Sequence, residues 1–540
     1  MRRLRLTGAI AAAFWLALHG QGLARGGSGK NMALEDWLRR FPIEELDGRK
    51  VVRVSLRDVL ELALDRSLSI TAAEKGVDVA QQALIAARGR LYPNLTTTFG
   101  QQHSASPFFS PTLNLYRSMS LVDSSTVTSQ LTKKDELGIA YGLTYQDSQS
   151  RIMYMGVPKA GDPVAPLQLG PATYSQWSAF KNANSLTGSV TVPLFQDRGR
   201  DVNTIPERQA EVGLQSVRYQ TFKTQQDVLN VVAQTYWNLV GALENVSVQH
   251  QAVALSEKLL ADNKVRLQAG VLSPADVQVS EAQLARDRQT LLAARSQVLS
   301  IEDQVRAALN LEGMLDVGLQ PKDAPALRAE RFELTPVLEK VYRINPDLAL
   351  LKTQLDLNNY TLIQAQNKDR TKLDLNMFYV LNGFGNDYLT TQYWGDANTP
   401  GYGATITYTL PLFDQVTPST IQQRILEREQ IETRVRDLES TISVQVQSVL
   451  RGIRLAQEQV ETARVALQLA EVQLNNEIER YKLGRSTAFT VSQLQQNLNL
   501  ARQLEIQARV TFEQTDLQRL LLTGLIYKQF QLPEPPGVNP

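Results

Sequence analysis

Apolar and small residues recur about every 3.5 positions from Val435 to Tyr481, through Leu438, Ile442, Val446, Val449, Ile453 and Ala456 and on to Leu474 and Ile478. That heptad-like period predicts one unbroken helix from about Ser419 to Lys482. At 1.5 Å per residue it would be roughly 95 Å long, more than a single globular domain needs. The region from about Pro206 to Leu267 is less strictly periodic but equally free of internal breakers. Gly270 and Gly484 then interrupt the helical pattern before it resumes, as a tight reversal between antiparallel helices requires. An ordinary coiled coil would give the same period.

Elsewhere the period is two. In "YGATITYTLPLF", Tyr402, Ala404, Ile406, Tyr408 and Leu410 share one face, opposite Gly403, Thr405, Thr407 and Thr409. In "LTGSVTVPLF", Leu186, Gly188, Val190, Val192 and Leu194 oppose Thr187, Ser189 and Thr191. "LDLNMFYVL" aligns Leu373, Leu375, Met377, Tyr379 and Leu381. Strands of about nine to eleven residues, apolar outside and polar inside, suit a membrane barrel. A half-buried sheet in a soluble sandwich alternates in the same way. Two of these strands end at Pro193 and Pro411, each followed by Leu and then by Phe195 or Phe413. Proline lacks the ladder N–H and is tolerated where a strand stops, so each Pro-Leu-Phe marks a corner between strand and long helix.

The chain reads as two copies of one unit. Ile70 aligns with Leu348 and Leu95 with Leu373, both at an offset of 278. The Pro-Leu-Phe triplets align at 218, and Gly270 aligns with Gly484 at 214. The drop of 60 between the first two offsets assigns about 60 extra residues to the first copy, within roughly 96 to 190. "SASPFFSPTLNLYRSMS" and "MGVPKAGDPVAPLQLGPA" in that segment are rich in Pro, Gly and Ser and read as loop. "LGIAYGLTY", Leu137 to Tyr145, alternates and is either part of an added pair of membrane strands or an extramembrane strand.

Composition narrows the setting. The chain has 540 residues, with 56 Lys and Arg against 55 Asp and Glu, so no basic excess points to nucleic acid. Arg2, Arg3 and Arg5 precede an apolar run from Leu6 to Leu18, and Gly22-Leu23-Ala24 offers small residues for cleavage. This predicts a secretory signal at 1–24. Beyond it no apolar stretch approaches 18 residues, which excludes an inner-membrane helical transporter. There is no cysteine, so an exported chain must be held by packing or oligomerisation, and no lipid is attached through an N-terminal Cys. The expected organisation is a signal at 1–24, an N-terminal extension at 25–54, a first repeat at 55–320, a second at 321–526 and a tail at 527–540. Within the repeats, strand hairpins are expected at about 95–195 and 373–413, and helical tips at about 266–277 and 480–491. Two strand hairpins give four strands, too few to close a barrel. In lipid the open edges would leave backbone groups unsatisfied, so several chains must share one barrel.

These features together resemble the TolC-type outer-membrane efflux family. The residues that carry the resemblance are the duplicated unit, "LYPNL" before a strand, "VPLFQDRGRDVN" and "LPLF" after one, and the Gly-centred helical tips. The resemblance implies a mainly α protein with membrane β. Four strands per chain would contribute to a trimeric 12-strand outer-membrane β-barrel, continuous with a long periplasmic α-helical tunnel. It implies an exit duct for a tripartite efflux or type I secretion system, in the outer membrane of a Gram-negative-type bacterium. The partners would be two further copies of the chain, a periplasmic adaptor, an inner-membrane pump and outer-membrane lipid, with no cofactor and no nucleic acid. Gate and adaptor contacts in the family lie at the tips, here Gly270, Val271, Leu272, Ser273 and Asp276, and Tyr481, Gly484, Arg485, Ser486, Thr490 and Gln493. Asp276 falls where the family has an acidic residue that helps hold the closed state, Tyr481 matches a Tyr able to bond it, and Arg485 lies one place from the family's Arg. Thr490 and Gln493 occupy positions that are acidic in some members, which removes an anionic ring there. Without any gate, Asp276 after Pro274 is a favourable charge at a helix N-terminus.

An enzyme fits poorly. His19 lies in the signal, His103 in an expected barrel loop and His250 in a long helix, with no zinc spacing among them. "GGSGK" (Gly26 to Lys30) lacks the phosphate-loop pattern, and no G-x-S-x-G or G-x-G-x-x-G stands between strand and helix. A periplasmic coiled-coil adaptor would also be exported and helical, but should carry one helical hairpin flanked by small β domains.

Overall fold

The computed structural model describes residues 43–46, 49–110, 115–158, 175–270, 272–310, 318–325, 332–385 and 399–533. The expected signal at 1–24 lies outside them. The first half contains β1 (Ile43–Leu46), β2 (Arg49–Val54), α1 (Leu56–Arg66) and α2 (Leu68–Gly89). Four long strands follow: β3 (Asn94–Ser110), β4 (Leu115–Lys134), β5 (Ala140–Pro158) and β6 (Ser175–Pro193). Then come the single turn α3 (Arg200–Asn203), α4 (Ile205–Gln268), α5 (Pro274–Ala308) and β7 (Gly318–Pro321). The second half contains α6 (Leu334–Ile344), α7 (Pro346–Lys368), β8 (Lys372–Gly385), β9 (Thr399–Thr409), α8 (Val416–Lys482), α9 (Ala488–Leu522) and α10 (Leu525–Gln529).

Several helices of the two halves match in length. α1 and α6 have 11 residues each and α5 and α9 have 35, while α4 has 64 and α8 has 67. Rods of this length reach about 100 Å. Each long helix turns back at a left-handed glycine, Gly270 at φ 74° and Gly484 at φ 71°, where a side chain would be strained. Both return helices start at a capping residue. Ser273 accepts from the Asp276 N–H while the Asp276 carboxylate accepts from the Ser273 N–H, and Thr487 accepts from the Thr490 N–H.

The main core lies partway along the rods. There β2 pairs antiparallel with β1 and parallel with β7, beneath Val52, Leu60, Phe222, Tyr236, Val305, Leu520 and Ile526. Asp323 ties this region together, accepting from the Tyr236 hydroxyl (2.7 Å) and from the Leu56 N–H (2.6 Å). Burial pushes the Tyr236 hydroxyl far above its ordinary titration range, so it remains a donor. Among the described residues, no helix is long and apolar enough to cross a membrane.

The large sheet has six strands in the order β3-β4-β5-β6-β8-β9, all antiparallel, where the sequence reading expected four. "LGIAYGLTY" runs into β5, which pairs with β4 on one side and β6 on the other. β4 and β5 are a hairpin inserted between β3 and β6, paired from Lys134 opposite Ala140 out to Leu115 opposite Pro158. Much of "SASPFFSPTLNLYRSMS" is therefore strand and not loop, and Pro107 lies inside β3 opposite Met119. Proline is tolerated there because Pro107 lies near the far end of β3, beside the register shift between Phe108 and Ser110. In "MGVPKAGDPVAPLQLGPA", residues 155–158 end β5 and 159–172 lie outside the described residues.

Candidate functional site

Two regions carry the residues singled out in the sequence: the corner where sheet meets helix, and the tips of the two helical hairpins. At the corner, Pro193 closes β6 opposite Asp374, and the Leu194 N–H continues the ladder by donating to the Leu373 carbonyl (2.8 Å). The chain then reverses at Asp197, held at φ 62° by a reciprocal pair of bonds. Its N–H donates to Asn367 Oδ1 (3.1 Å), and Asn367 Nδ2 donates to Asp197 Oδ1 (2.7 Å). Asn203 Nδ2 donates to the carbonyls of Asp197 and Gly199, both at 2.8 Å. Residues of both repeats are thus stitched across the corner. Asp197→Ala removes the side-chain acceptor and should cost about 1–3 kcal/mol, visible as a lower unfolding temperature of the detergent-solubilised protein.

The second corner is built differently. Pro411 follows β9, and Phe413 is held at φ 58° with 98% of its surface exposed, while Phe195 is 54% exposed. A bulky side chain at positive φ is uncommon, and here it is exposed on the single chain. The adjoining Asp414 carboxylate accepts from the Val416 N–H (2.9 Å) and the Thr417 N–H (3.3 Å) at the start of α8. Hydrogen bonds from Thr417 and from Val416 hold its titration below the usual carboxylate range. Its contribution to the helix start is therefore present above that range and fades as acid protonates it.

At the tips, Gly270 and Gly484 make the reversals, and the Arg485 N–H donates to the Arg480 carbonyl (2.9 Å). Val271 lies outside the described residues. Leu272 and Asp276 are half-buried, Ser273, Arg485 and Gln493 are exposed, and Ser486 donates to Glu477. The anticipated bond between Asp276 and Tyr481 is not formed within the chain. Asp276 is engaged by Ser273, whose hydroxyl donates to its carboxylate at 2.7 Å, which is the helix-terminus role. Tyr481 instead donates to Asn263 Oδ1 (2.6 Å), and the Arg266 guanidinium lies 4.9 Å above its ring and donates to its carbonyl. Burial raises the Tyr481 titration, against the opposing effect of Arg266.

The sequence reading missed the polar seam above the tips. Buried Asp287 accepts from Ser256 Oγ (2.5 Å) and from Gln283 Nε2 (2.9 Å), and Gln495 Nε2 donates to Ser256 Oγ (2.8 Å) and to the Ala252 carbonyl (3.1 Å). Asn263 donates to Ser280 Oγ (2.7 Å). These bonds join α4 and α5 to α9, and Tyr481 of α8 joins the same seam through Asn263. The signal was present: Ser256 and Asn263 are seven residues apart, as are Ser280 and Asp287. Polar residues on an apolar heptad seam mark a register-fixing contact. No group of acidic and histidine side chains suited to a metal ion occurs among the described residues.

The family model described as "Outer membrane efflux protein" matches residues 160–311, within the segment expected from the sequence to be a first repeat. No curated protein sequence matches. The fold is similar to the CmeC outer membrane channel of Campylobacter jejuni, with a TM-score of 0.62 at 14% identity over 87% of this chain and 85% of that one. It is similar to the outer membrane protein VceC of Vibrio cholerae, with a TM-score of 0.58 at 14% identity over 87% and 96%. The open state of the Neisseria gonorrhoeae MtrE outer membrane channel gives 0.55 at 14% identity over 87% and 88%.

Proposed function

We infer that the chain is an outer membrane efflux protein, a passive duct anchored in the outer membrane by its sheet and reaching through the periplasm by its paired long helices. The observation that carries this reading is the continuity of one chain from a six-stranded antiparallel sheet, through two Pro-Leu-Phe corners, into rods of 64 and 67 residues. The adaptor alternative is not supported: the chain has two helical hairpins and one large sheet, and its structural neighbours are outer-membrane channels.

Three chains form the duct. Two features favour assembly. The sheet is open at β3 and β9, and an open edge is untenable in lipid. The long helices also carry apolar side chains that one chain leaves exposed, including Val465 and Val472 seven residues apart on α8, and Leu500 and Leu504 four apart on α9. A neighbouring chain would cover such a stripe. At the far end, the tips around Gly270 and Gly484, with Leu483 and Phe489 exposed beside Arg485, serve as the contact for a periplasmic adaptor and its inner-membrane pump.

Cell fractionation tests the duct reading. The protein should stay with the outer-membrane fraction through high-salt and urea washes and be released only by detergent. Recovery as a soluble periplasmic species would overturn it.

A further inference from the structure

We propose that each chain contributes six strands to the duct's barrel, so that three chains close an 18-strand pore whose wall, between charged levels at its base and at Lys181, is hydroxyl-rich and uncharged. This rests on the trimeric reading above and extends it to what the exit pore admits.

The added hairpin is built as barrel wall. Its base is the tight turn from Asp135 to Ile139, where Asp135 Oδ1 accepts from the N–H groups of Leu137 (3.0 Å) and Ile139 (2.8 Å). That turn is clamped to the corner between sheet and helix. The Gly199 N–H donates to the Leu137 carbonyl (3.0 Å), and Arg200 pairs with Glu136 (2.9 Å). Gly138 lies at φ 94° so close that a Cβ would stand 2.3 Å from the Asp197 carbonyl oxygen. β4 and β5 therefore start at the level where the other strands hand over to helices, and rise in continuous register between β3 and β6 as far as Phe108 opposite Ser118 and Met119 opposite Met155, beyond which the β3–β4 and β4–β5 registers shift. A hairpin lying over the barrel's outside would be paired at its tip alone and would not separate β3 from β6.

The faces then assign inside and outside. One face carries Leu95, Leu131, Leu143, Leu186, Tyr379 and Tyr402, which suits lipid. On β5 this band ends at Asp147, two places beyond Tyr145. The opposite face is mostly polar, with Phe378 and Val380 among the exceptions. One register line runs Thr98, Thr128, Gln146, Ser185, Asn382, and the line below it Thr96, Gln130, Thr144, Thr187, Val380, Gly401. Lys134, Lys372 and Asp374 form the base of this face. Among the described side chains above them it holds no charge, and the first beyond is Lys181, in register with Ser150. Barrel diameter grows roughly linearly with strand number, so 18 strands give about 1.5 times the diameter of 12. Such a pore passes bulky polar solutes, and the stretch of wall between those charged levels does not sort them by charge.

The absence of cysteine gives a clean test. Single-cysteine variants of the full chain, Thr128→Cys and Gln146→Cys facing in and Leu131→Cys and Leu143→Cys facing out, are exposed in intact outer membrane to membrane-impermeant thiol reagents. The inward pair should react at least tenfold faster than the outward pair. Cationic and anionic methanethiosulfonates should react at Thr128→Cys within about threefold of each other, after correction for their rates with a free thiol. Equal labelling of both faces would place the hairpin in water and overturn the 18-strand wall. A tenfold charge preference would overturn its neutrality. Cross-linking of the same samples reports chain number separately, so loss of the trimer is distinguished from a trimer whose barrel has twelve strands. The variant lacking residues 111–174, which joins β3 directly to β6, should remain a trimer and exclude a maleimide-linked polymer of about 5 kDa that the full-length pore admits at an inward-facing cysteine on β6, such as Ser185→Cys. Equal access in both would contradict the proposal.

Discussion

Proline in place of Thr97 or of Thr98 is expected to abolish the assembled particle, whichever of the two is replaced. Both residues lie on β3, the edge of the sheet, opposite Ser129 and Thr128 of β4. Successive N–H groups on a strand point to opposite sides, so one of the two bonds β4 and the other points away from the chain. At a free edge in water, proline at the outward N–H is tolerated. If that N–H instead bonds β9 of a neighbouring chain inside lipid, its loss costs several kcal/mol in each of three equivalent places. Gel filtration of detergent extracts would show both variants as dissociated chains. A stable particle with either proline would mean that the edge is not a chain-to-chain seam.

Asp287→Ala is expected to loosen the tips without affecting the sheet. It removes the acceptor for Ser256 and Gln283 in a buried seam and leaves Gln495 held by Ser256 and the Ala252 carbonyl alone. Orphaned buried donors cost about 1–3 kcal/mol each. A loss of about 2 kcal/mol in the local opening of α5 from α9 corresponds to roughly 30-fold more cleavage near residues 256–290 in limited proteolysis. Asp287→Asn keeps one of the two acceptor oxygens and orphans a single donor, so its cleavage rate should fall between those of the parent and the Ala variant. Parental cleavage rates in the Ala variant would show that the seam does not hold the tips together.

What the sequence made legible follows from how far each pattern reaches. The helices of α8 and its return were readable because Val435 to Tyr481 repeats over many turns, and the glycines at 270 and 484 punctuate it. The recurrence of the Pro-Leu-Phe corners was legible in the sequence, and the offset of 278 expected for the repeats also relates Leu56 to Leu334, the first residues of α1 and α6. The added hairpin was only partly readable. Its inner face is Ser and Thr, and its outer face is broken by Asp123 and Asp147, so alternation of polar with apolar is weak there. Pro107 and neighbouring serines then gave a loop-like composition to what is strand. The Tyr481 contact was not readable at all, because its partner Asn263 lies 218 residues away and only packing of α4 against α8 brings them together. The helix-terminus role of Asp276 was legible for the opposite reason: its partner Ser273 is three residues away and completes a capping box.

The claim on which the rest depends is that one chain is an incomplete wall and that several close it. Native mass spectrometry of the detergent-released outer-membrane particle tests this most directly. The account predicts particles of three chains, with no stable single chain until the detergent is made denaturing. A folded particle of one chain, or of any number other than three, would contradict it.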